Sequence, residues 1–284
     1  MDRDLDGKYK KLEEILVSMG SVVVAYSGGV DSAYLLKAAH DCLGGKALAL
    51  TAVSASLAQD ELAEAQAVAK GIGAKHILIE SQETHDPNYL ANTPARCYFC
   101  KNEVYNELVE YARQHGFEVV VDGSNLDDTG DHRPGRQAAA EHGVRSPLLE
   151  AGLTKEDIRA LARNAGLPNW NKPAAACLSS RIPYGTLISI EMLSQVEQAE
   201  RVLRNIGLRQ VRVRHHDTIA RVEVEPGEFE KVLEQREVIV TALQGLGYTY
   251  VSLDLAGFKS GSMNAVLHPG LVQQPAIQIE TDAP

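Results

Sequence analysis

Apolar runs and helical repeats alternate through the first half of the chain. Val22–Tyr26, Ala47–Val53, His76–Ile79 and Glu118–Val121 are short stretches rich in Val, Ile, Leu and Ala, the pattern of strands buried on both faces. Between them, Val30–Leu43, Gln59–Gly71 and Lys101–His115 carry apolar positions at helical spacing. A further helix is predicted over Lys155–Ala165, behind Thr154 as N-cap. This alternation predicts an α/β domain with a doubly wound, mainly parallel sheet, whose ligand sits beyond the carboxyl ends of the strands.

The rhythm changes over Leu167–Gly185, LPNWNKPAAACLSSRIPYG, where prolines, glycine and small residues predict a loop between domains. Beyond it lie a predicted helix (Ile190–Ile206), two strands (Gln210–Arg214 and Ile219–Val224), a helix (Glu228–Leu246) and a strand (Tyr248–Leu253). That order predicts a smaller α+β domain with an antiparallel sheet. The expected division is a first domain over 1–168, a boundary loop over 169–188, a second domain over 189–267 and a frayed tail over 268–284.

The most telling junction is Val22–Ser32, VVVAYSGGVDS, where a strand runs through Ser27-Gly28-Gly29 into a helix starting at Val30. Glycines let backbone N–H groups turn toward one point, and the helix dipole adds positive potential there. A pyrophosphate suits that point; an ordinary strand–turn–helix corner is the alternative. The chain lacks the GxxxxGK[ST] loop of γ-phosphate-cleaving enzymes. Asp122-Gly123-Ser124-Asn125 follows the fourth strand and is predicted at the same edge, with Gly123 beside the nucleotide.

Of the four cysteines, Cys97 and Cys100 form a CxxC in a loop-to-helix segment, Cys177 lies in the boundary loop, and Cys42 sits in an apolar helix pattern as a small buried hydrophobe. A CxxC serves a dithiol redox pair or half a zinc site, and no second CxxC or HxxxH completes the latter. Three thiolates from Cys97, Cys100 and Cys177 would suit three irons of a [4Fe–4S] cluster, provided that the fold brings the loop against the CxxC. Small residues before Cys177 leave room at its sulfur, and Ser179-Ser180-Arg181 offer hydrogen bonds and a cation.

Arg212 and Arg214 alternate with valines, so a strand would point both guanidiniums to one face, fit for a phosphate or carboxylate. A solvated strand face is the equal alternative. Asp128, in the acidic stretch Asp127–Asp131, has the oxygen chemistry for Mg²⁺ and also that of a turn or cap. Lys101 serves either to neutralise phosphate or as a surface lysine.

Across 284 residues the formal net charge is −10, opposite to the bias of a protein gripping a nucleic-acid backbone, so a large RNA partner is disfavoured. Four cysteines in such a chain do not make a secreted disulfide scaffold. The acidic N-terminus is no signal peptide, and no apolar run approaches membrane-spanning length. A cytoplasmic protein without a membrane partner is expected.

The motif Ser27–Ser32 resembles the PP-loop of ATP pyrophosphatases, which cleave between the α- and β-phosphates. Over nearly its whole length the chain is similar to the LarE family of PP-loop sulfur transferases. The stretches that carry the resemblance are Ala25–Ser32, Asn92–Lys101, Asp131–Gly135, Asn169–Gly185, Val211–Val224 and Tyr248–Gly261. It implies that ATP adenylates a carboxylate of pyridinium-3,5-biscarboxylic acid mononucleotide and that sulfur then displaces AMP, in building a nickel-pincer nucleotide. Ser27, Gly28, Gly29, Val30, Asp31 and Ser32 would hold the nucleotide, Asp31 also placing Mg²⁺ with Asp128. Arg212, Arg214, Arg181 and Lys101 would meet the anionic substrate. The family draws sulfur either from one cysteine, which matches Cys177, or from a [4Fe–4S] cluster on three cysteines. This chain has all three, so the cluster version and a separate sulfide source are implied, with homo-oligomers as in other members.

Overall fold

A computed structural model describes residues 3–130, 134–173 and 176–259. In chain order the elements are α1 (Arg3–Ser18), β1 (Val22–Ala25), α2 (Val30–Leu43), β2 (Ala47–Val53), α3 (Gln59–Ile72), β3 (Lys75–Glu80), α4 (Pro87–Leu90), α5 (Arg96–Gln114) and β4 (Val119–Val121). There follow α6 (Pro134–Glu141), α7 (Pro147–Glu150), α8 (Lys155–Asn164), α9 (Ile190–Asn205), β5 (Val211–His216), β6 (Ile219–Val224), α10 (Phe229–Glu234), α11 (Arg236–Gly245) and β7 (Tyr250–Leu253). The tail expected over 268–284 lies outside the described residues. Two compact units emerge, one over 1–179 with 185–193 and one over 180–184 with 194–284.

In the first unit four parallel strands lie in the order β3-β2-β1-β4. Val22 and Val24 of β1, with Ala47 and Ala49 of β2, enter a core covered by α1, α2, α3 and α8. Val23, Leu48 and Leu50 point the other way, into a core that α5 and α6 cover. A period of two with apolar residues on both faces is what a sheet sandwiched by helices requires. Sequential strands run outward from β1 on one side and β4 sits on the other, so the strand order reverses at β1. Its carboxyl end therefore opens on a crevice, the usual ligand site of an open α/β sheet.

The α/β fold agrees with the alternation in the sequence. Helix α1, whose segment drew notice only for its charge, carries Leu5, Tyr9, Leu12 and Leu16 at helical spacing, and Leu12 and Leu16 are fully buried. Helix α8 begins as expected: Thr154 accepts from the Asp157 N–H and the Asp157 carboxylate answers from the Thr154 N–H, closing a capping box. Ile158, Leu161 and Ala162 then bury one face of α8 in the core that it shares with α2.

The second unit corrects the expected antiparallel sheet. Its order is β5-β6-β7, with β5 and β6 antiparallel but β6 and β7 parallel. The chain returns from β6 through α10 and α11, and a crossover through helices brings the next strand back in the same direction. The single helix expected over Glu228–Leu246 breaks at Gln235, which ends α10 and caps α11. Ala199 and Leu203 of α9, Val211 and Val213 of β5, Val222 and Val224 of β6, and Leu243 of α11 form its core. No helix among the described residues is long and apolar enough to cross a membrane.

Replacing Thr154 with Ala removes the cap that starts α8. We expect a loss of about 1 kcal/mol, read as a lower urea midpoint at unchanged slope.

Candidate functional site

At the β1–α2 corner, Gly28 adopts φ +75°, and a Cβ there would lie 2.5 Å from the Ala65 Cβ. Only glycine satisfies both the left-handed backbone and the close approach of α3. Gly29 caps α2 in extended geometry. Ser32, buried in the first turn, accepts from the Ser27 N–H (3.3 Å), sits 3.1 Å from the Ser27 hydroxyl and donates to the Gly29 carbonyl (3.2 Å). The two serines thus hold the loop closed on itself. From β4, Gly123 lies against the same turn; a Cβ on it would come within 2.9 Å of the Ser32 nitrogen. Asn169, buried in the boundary segment, donates to the Gly28 carbonyl at 3.0 Å, a contact across the chain that sequence spacing does not reveal.

Asp31, in that first turn, forms an ion pair with Lys155 at the start of α8, while its Oδ1 is buried without a hydrogen bond. Burial pushes the Asp31 carboxyl above its ordinary range, opposed by Lys155 and Arg159; the neighbouring Asp128 adds to the rise. Asp128 is thus among the charges that Asp31 feels, and it accepts from the Asn125 N–H. Lys155 and Arg159 escaped the sequence reading: a lysine and an arginine four apart look like any exposed helix face. Lys172 binds Glu61 and Glu64 of α3 and ties the boundary segment down near the loop.

The CxxC lies inside helix α5, which starts at Arg96 and not at Lys101 as the pattern suggested. Arg96 is buried, and its guanidinium donates to the Asn92 side chain (2.6 Å) and to the Ser179 carbonyl (2.9 Å), so a tertiary contact stabilises the extra turn. The Cys177 loop is held to the same unit by further bonds: Tyr89 to the Ser179 hydroxyl, and Leu178 N–H to the Ser56 carbonyl. All four cysteines are free thiols, Cys97 and Cys177 exposed, Cys42 half-buried against the first core. Burial pushes the Cys100 thiol well up, and the charges of Glu83 and Cys177 push it further. Glu83 is itself buried and accepts from Ser54 (2.6 Å) and Ser56 (2.5 Å). Lys101 feels Cys100 and Cys97 and is raised, first by the Tyr105 ring, 5.5 Å from its ammonium. Gly135 of α6 packs on this turn, with a Cβ position 2.9 Å from the Lys101 Cγ; Asp131, His132 and Arg133 lie outside the described residues.

In the second unit, Arg212 and Arg214 share a strand face, and Arg181 joins them. Arg181 pairs with the fully buried Glu200 (2.8 Å), which also binds Arg204 (2.9 Å) and the Val213 N–H (3.1 Å). Arg214 pairs diagonally with the buried Glu223 (2.7 Å) and donates to the Ser180 carbonyl (3.1 Å). Arg212 stacks over Phe258, 5.2 Å away, and donates to the Val211 carbonyl. Burial, then the neighbouring Arg181, pushes Arg212 down to about 10. Arg221 pairs with Glu223 (3.3 Å) and with Asp254, so five guanidiniums gather around three carboxylates, a positive balance.

A synthase of pyridinium-3,5-bisthiocarboxylic acid mononucleotide from Lactiplantibacillus plantarum is 40% identical over 261 residues, covering 92% of this chain and 95% of that protein. The chain belongs to the LarE family. An uncharacterised protein of Synechocystis is 45% identical over 265 residues, 93% of this chain and 99% of its own length. The tRNA-specific 2-thiouridylase MnmA of Treponema denticola is 28% identical over 188 residues, 54% of this chain and 51% of that enzyme, and represents the wider PP-loop group. No protein-family model matches the sequence. This LarE homologue is therefore an enzyme on a PP-loop fold, similar to sulfur-transferring enzymes.

Among the described residues of the LarE chain, no three His, Cys, Asp or Glu side chains converge closely enough to hold one metal ion. Cys97, Cys100 and Cys177 are thiols outside any disulfide, the donor type of an iron–sulfur cluster.

Two measurements test this geometry. Arg96→Ala frees the Cys177 loop, so the Leu178 N–H, which donates to the Ser56 carbonyl, should exchange with solvent at least about fivefold faster than in the parent; unchanged exchange refutes the tether. Glu200 is driven up by burial, yet Arg181, Arg212 and Arg204 outweigh this and hold it below the usual 4.5. Its stabilisation is therefore complete above that value and disappears as pH falls through the lower native one. Glu200→Gln should cost roughly 3–5 kcal/mol at pH 7 and flatten the acid limb of urea stability.

Proposed function

We propose that the chain uses ATP to adenylate the carboxylates of pyridinium-3,5-biscarboxylic acid mononucleotide and converts them to thiocarboxylates, for a nickel-pincer nucleotide cofactor. The observation that carries this reading is the near-full-length identity to the L. plantarum synthase, whose printed product is the bisthiocarboxylic acid. The chemistry is balanced in two steps. A carboxylate oxygen attacks the α-phosphorus, and the bond to pyrophosphate breaks. A sulfur nucleophile then adds to the acyl carbon, and the bond to AMP breaks. The first step is needed because a carboxylate is a poor electrophile without a good leaving group.

Ser27, Gly28, Gly29, Val30, Ser32 and Gly123 form the phosphate cradle in this scheme. Asp31 and Asp128 would hold Mg²⁺; the buried, unpaired Oδ1 of Asp31 is a hard oxygen donor that fits such an ion. Arg212 and Arg214, with Arg181, would bind the anionic mononucleotide, and Lys101 would offset charge near the thiols. Cys97, Cys100 and Cys177 would hold a [4Fe–4S] cluster, which supplies an open iron able to carry sulfide. The exposure of Cys177, with no three donors converging on one ion among the described residues, favours a second reading in which the Cys177 sulfur is itself transferred.

Anaerobic protein with ATP, Mg²⁺, sulfide and the mononucleotide should release AMP and pyrophosphate and exchange oxygen for sulfur at both carboxylates. Roughly four irons and four sulfides per chain support the cluster; a Cys177 left as dehydroalanine supports the sacrificial route. Asp31→Ala should abolish pyrophosphate release and leave any cluster absorbance intact. Release with tRNA in place of the mononucleotide would overturn the assignment.

A further inference from the structure

Two cations of α8 are unexplained by the cradle. Lys155, the first residue of α8, is paired with Asp31, the residue that the adenylating reading assigns to the divalent ion. The two side chains remain 34% and 21% exposed, so the pair is wet and easily exchanged. One turn on, Arg159 acts on the charge of Asp31, and its Nε is buried without a hydrogen bond. The Oδ1 of Asp31 is equally without a partner. The Asp31 Oδ1 and the Arg159 Nε, polar atoms of opposite character on two residues that feel each other's charge, both lack a hydrogen bond, and a metal-bound polyphosphate carries both of the charges that would satisfy them. Rigid support for α8 adds to this. The capping box sets its first turn, Asp127 accepts from the Lys155 N–H at 2.7 Å, and Ile158, Leu161 and Ala162 anchor its inner face.

We infer that Lys155 and Arg159 form a second wall of the pyrophosphate site, Lys155 standing in for the divalent cation on Asp31 until nucleotide arrives and then pairing with the phosphates. This rests on the adenylating reading and deepens it. Two positioning cations would balance the charge that grows on pyrophosphate as the bond to the α-phosphorus breaks. Releasing Asp31 only when polyphosphate is present keeps the cation site closed to free metal.

The test uses the full chain with Mn²⁺ alone and with inorganic pyrophosphate, read by electron paramagnetic resonance and titration calorimetry. Lys155→Met should bind free Mn²⁺ about tenfold more tightly and pyrophosphate about tenfold more weakly. Asp31→Asn in that background should remove the Mn²⁺ gain. Lys155→Arg, which keeps the charge, should restore pyrophosphate binding to within about threefold, and Arg159→Met should weaken pyrophosphate without tightening Mn²⁺. A merely structural role weakens both ligands together, and that result, or unchanged pyrophosphate affinity in Lys155→Met, overturns the inference. No organic substrate, sulfur or cluster takes part, so failure of the sulfur-transfer reading would leave these affinities as they are.

Discussion

The first unit depends on β1 pairing in parallel with two neighbours at once. Val24 is in register with Ala49 on one side and Val121 on the other, and every side chain of the strand is in contact with a helix-covered core. With β2 and β4 both satisfied along its edges, the chain must leave the sheet at Ala25, and the crevice between the diverging connections opens there. The Gly28 corner, the first turn of α2 and the Gly123 loop are consequences of that pairing. A side chain at either glycine would collide with backbone or with Ala65, so the corner admits no looser version of itself.

Charge is distributed differently in the two units. Around the loop it is partly wet: Lys155 pairs with Asp31 and Lys172 with Glu61 and Glu64, and the Asp31 Oδ1 is left without a hydrogen bond. In the second unit it is dense and dry. Glu200 and Glu223 are fully buried, and each is held by two guanidiniums, at 2.8 and 2.9 Å for Glu200 and at 2.7 and 3.3 Å for Glu223. Burial of a carboxylate is tolerable only with such partners, and removing one leaves the other uncompensated. Arg212, in the same cluster, is depressed by burial and by like charge.

The thiols show how a motif gains meaning from its surroundings. Cys97 and Cys100, three apart on a helix, share a face whatever the chemistry. Arg96 and Tyr89 add the rest by holding Ser179, and with it the loop of Cys177, to the same unit. Glu83 then makes the three cysteines unequal, since its carboxylate adjoins Cys100.

Much was determined by the sequence alone. Apolar runs between amphipathic helices dictated a parallel α/β sheet, because strands buried on both faces and helices buried on one have different periods. Glycines and serines at a strand–helix junction marked the tight corner at the carboxyl end of β1, and Thr154 marked the start of α8. The family resemblance rested on the same local words. Local pattern missed α1, whose charges hid its leucine stripe, and the early start of α5, which Arg96 secures through distant partners. It also missed the parallel placement of β7, since strand direction depends on the path between strands. Lys155, Arg159 and Asn169 became visible only in the fold. Each lies more than a hundred residues from the loop residue that it affects, and contacts at that distance in the chain are chosen by packing, which no window of sequence contains.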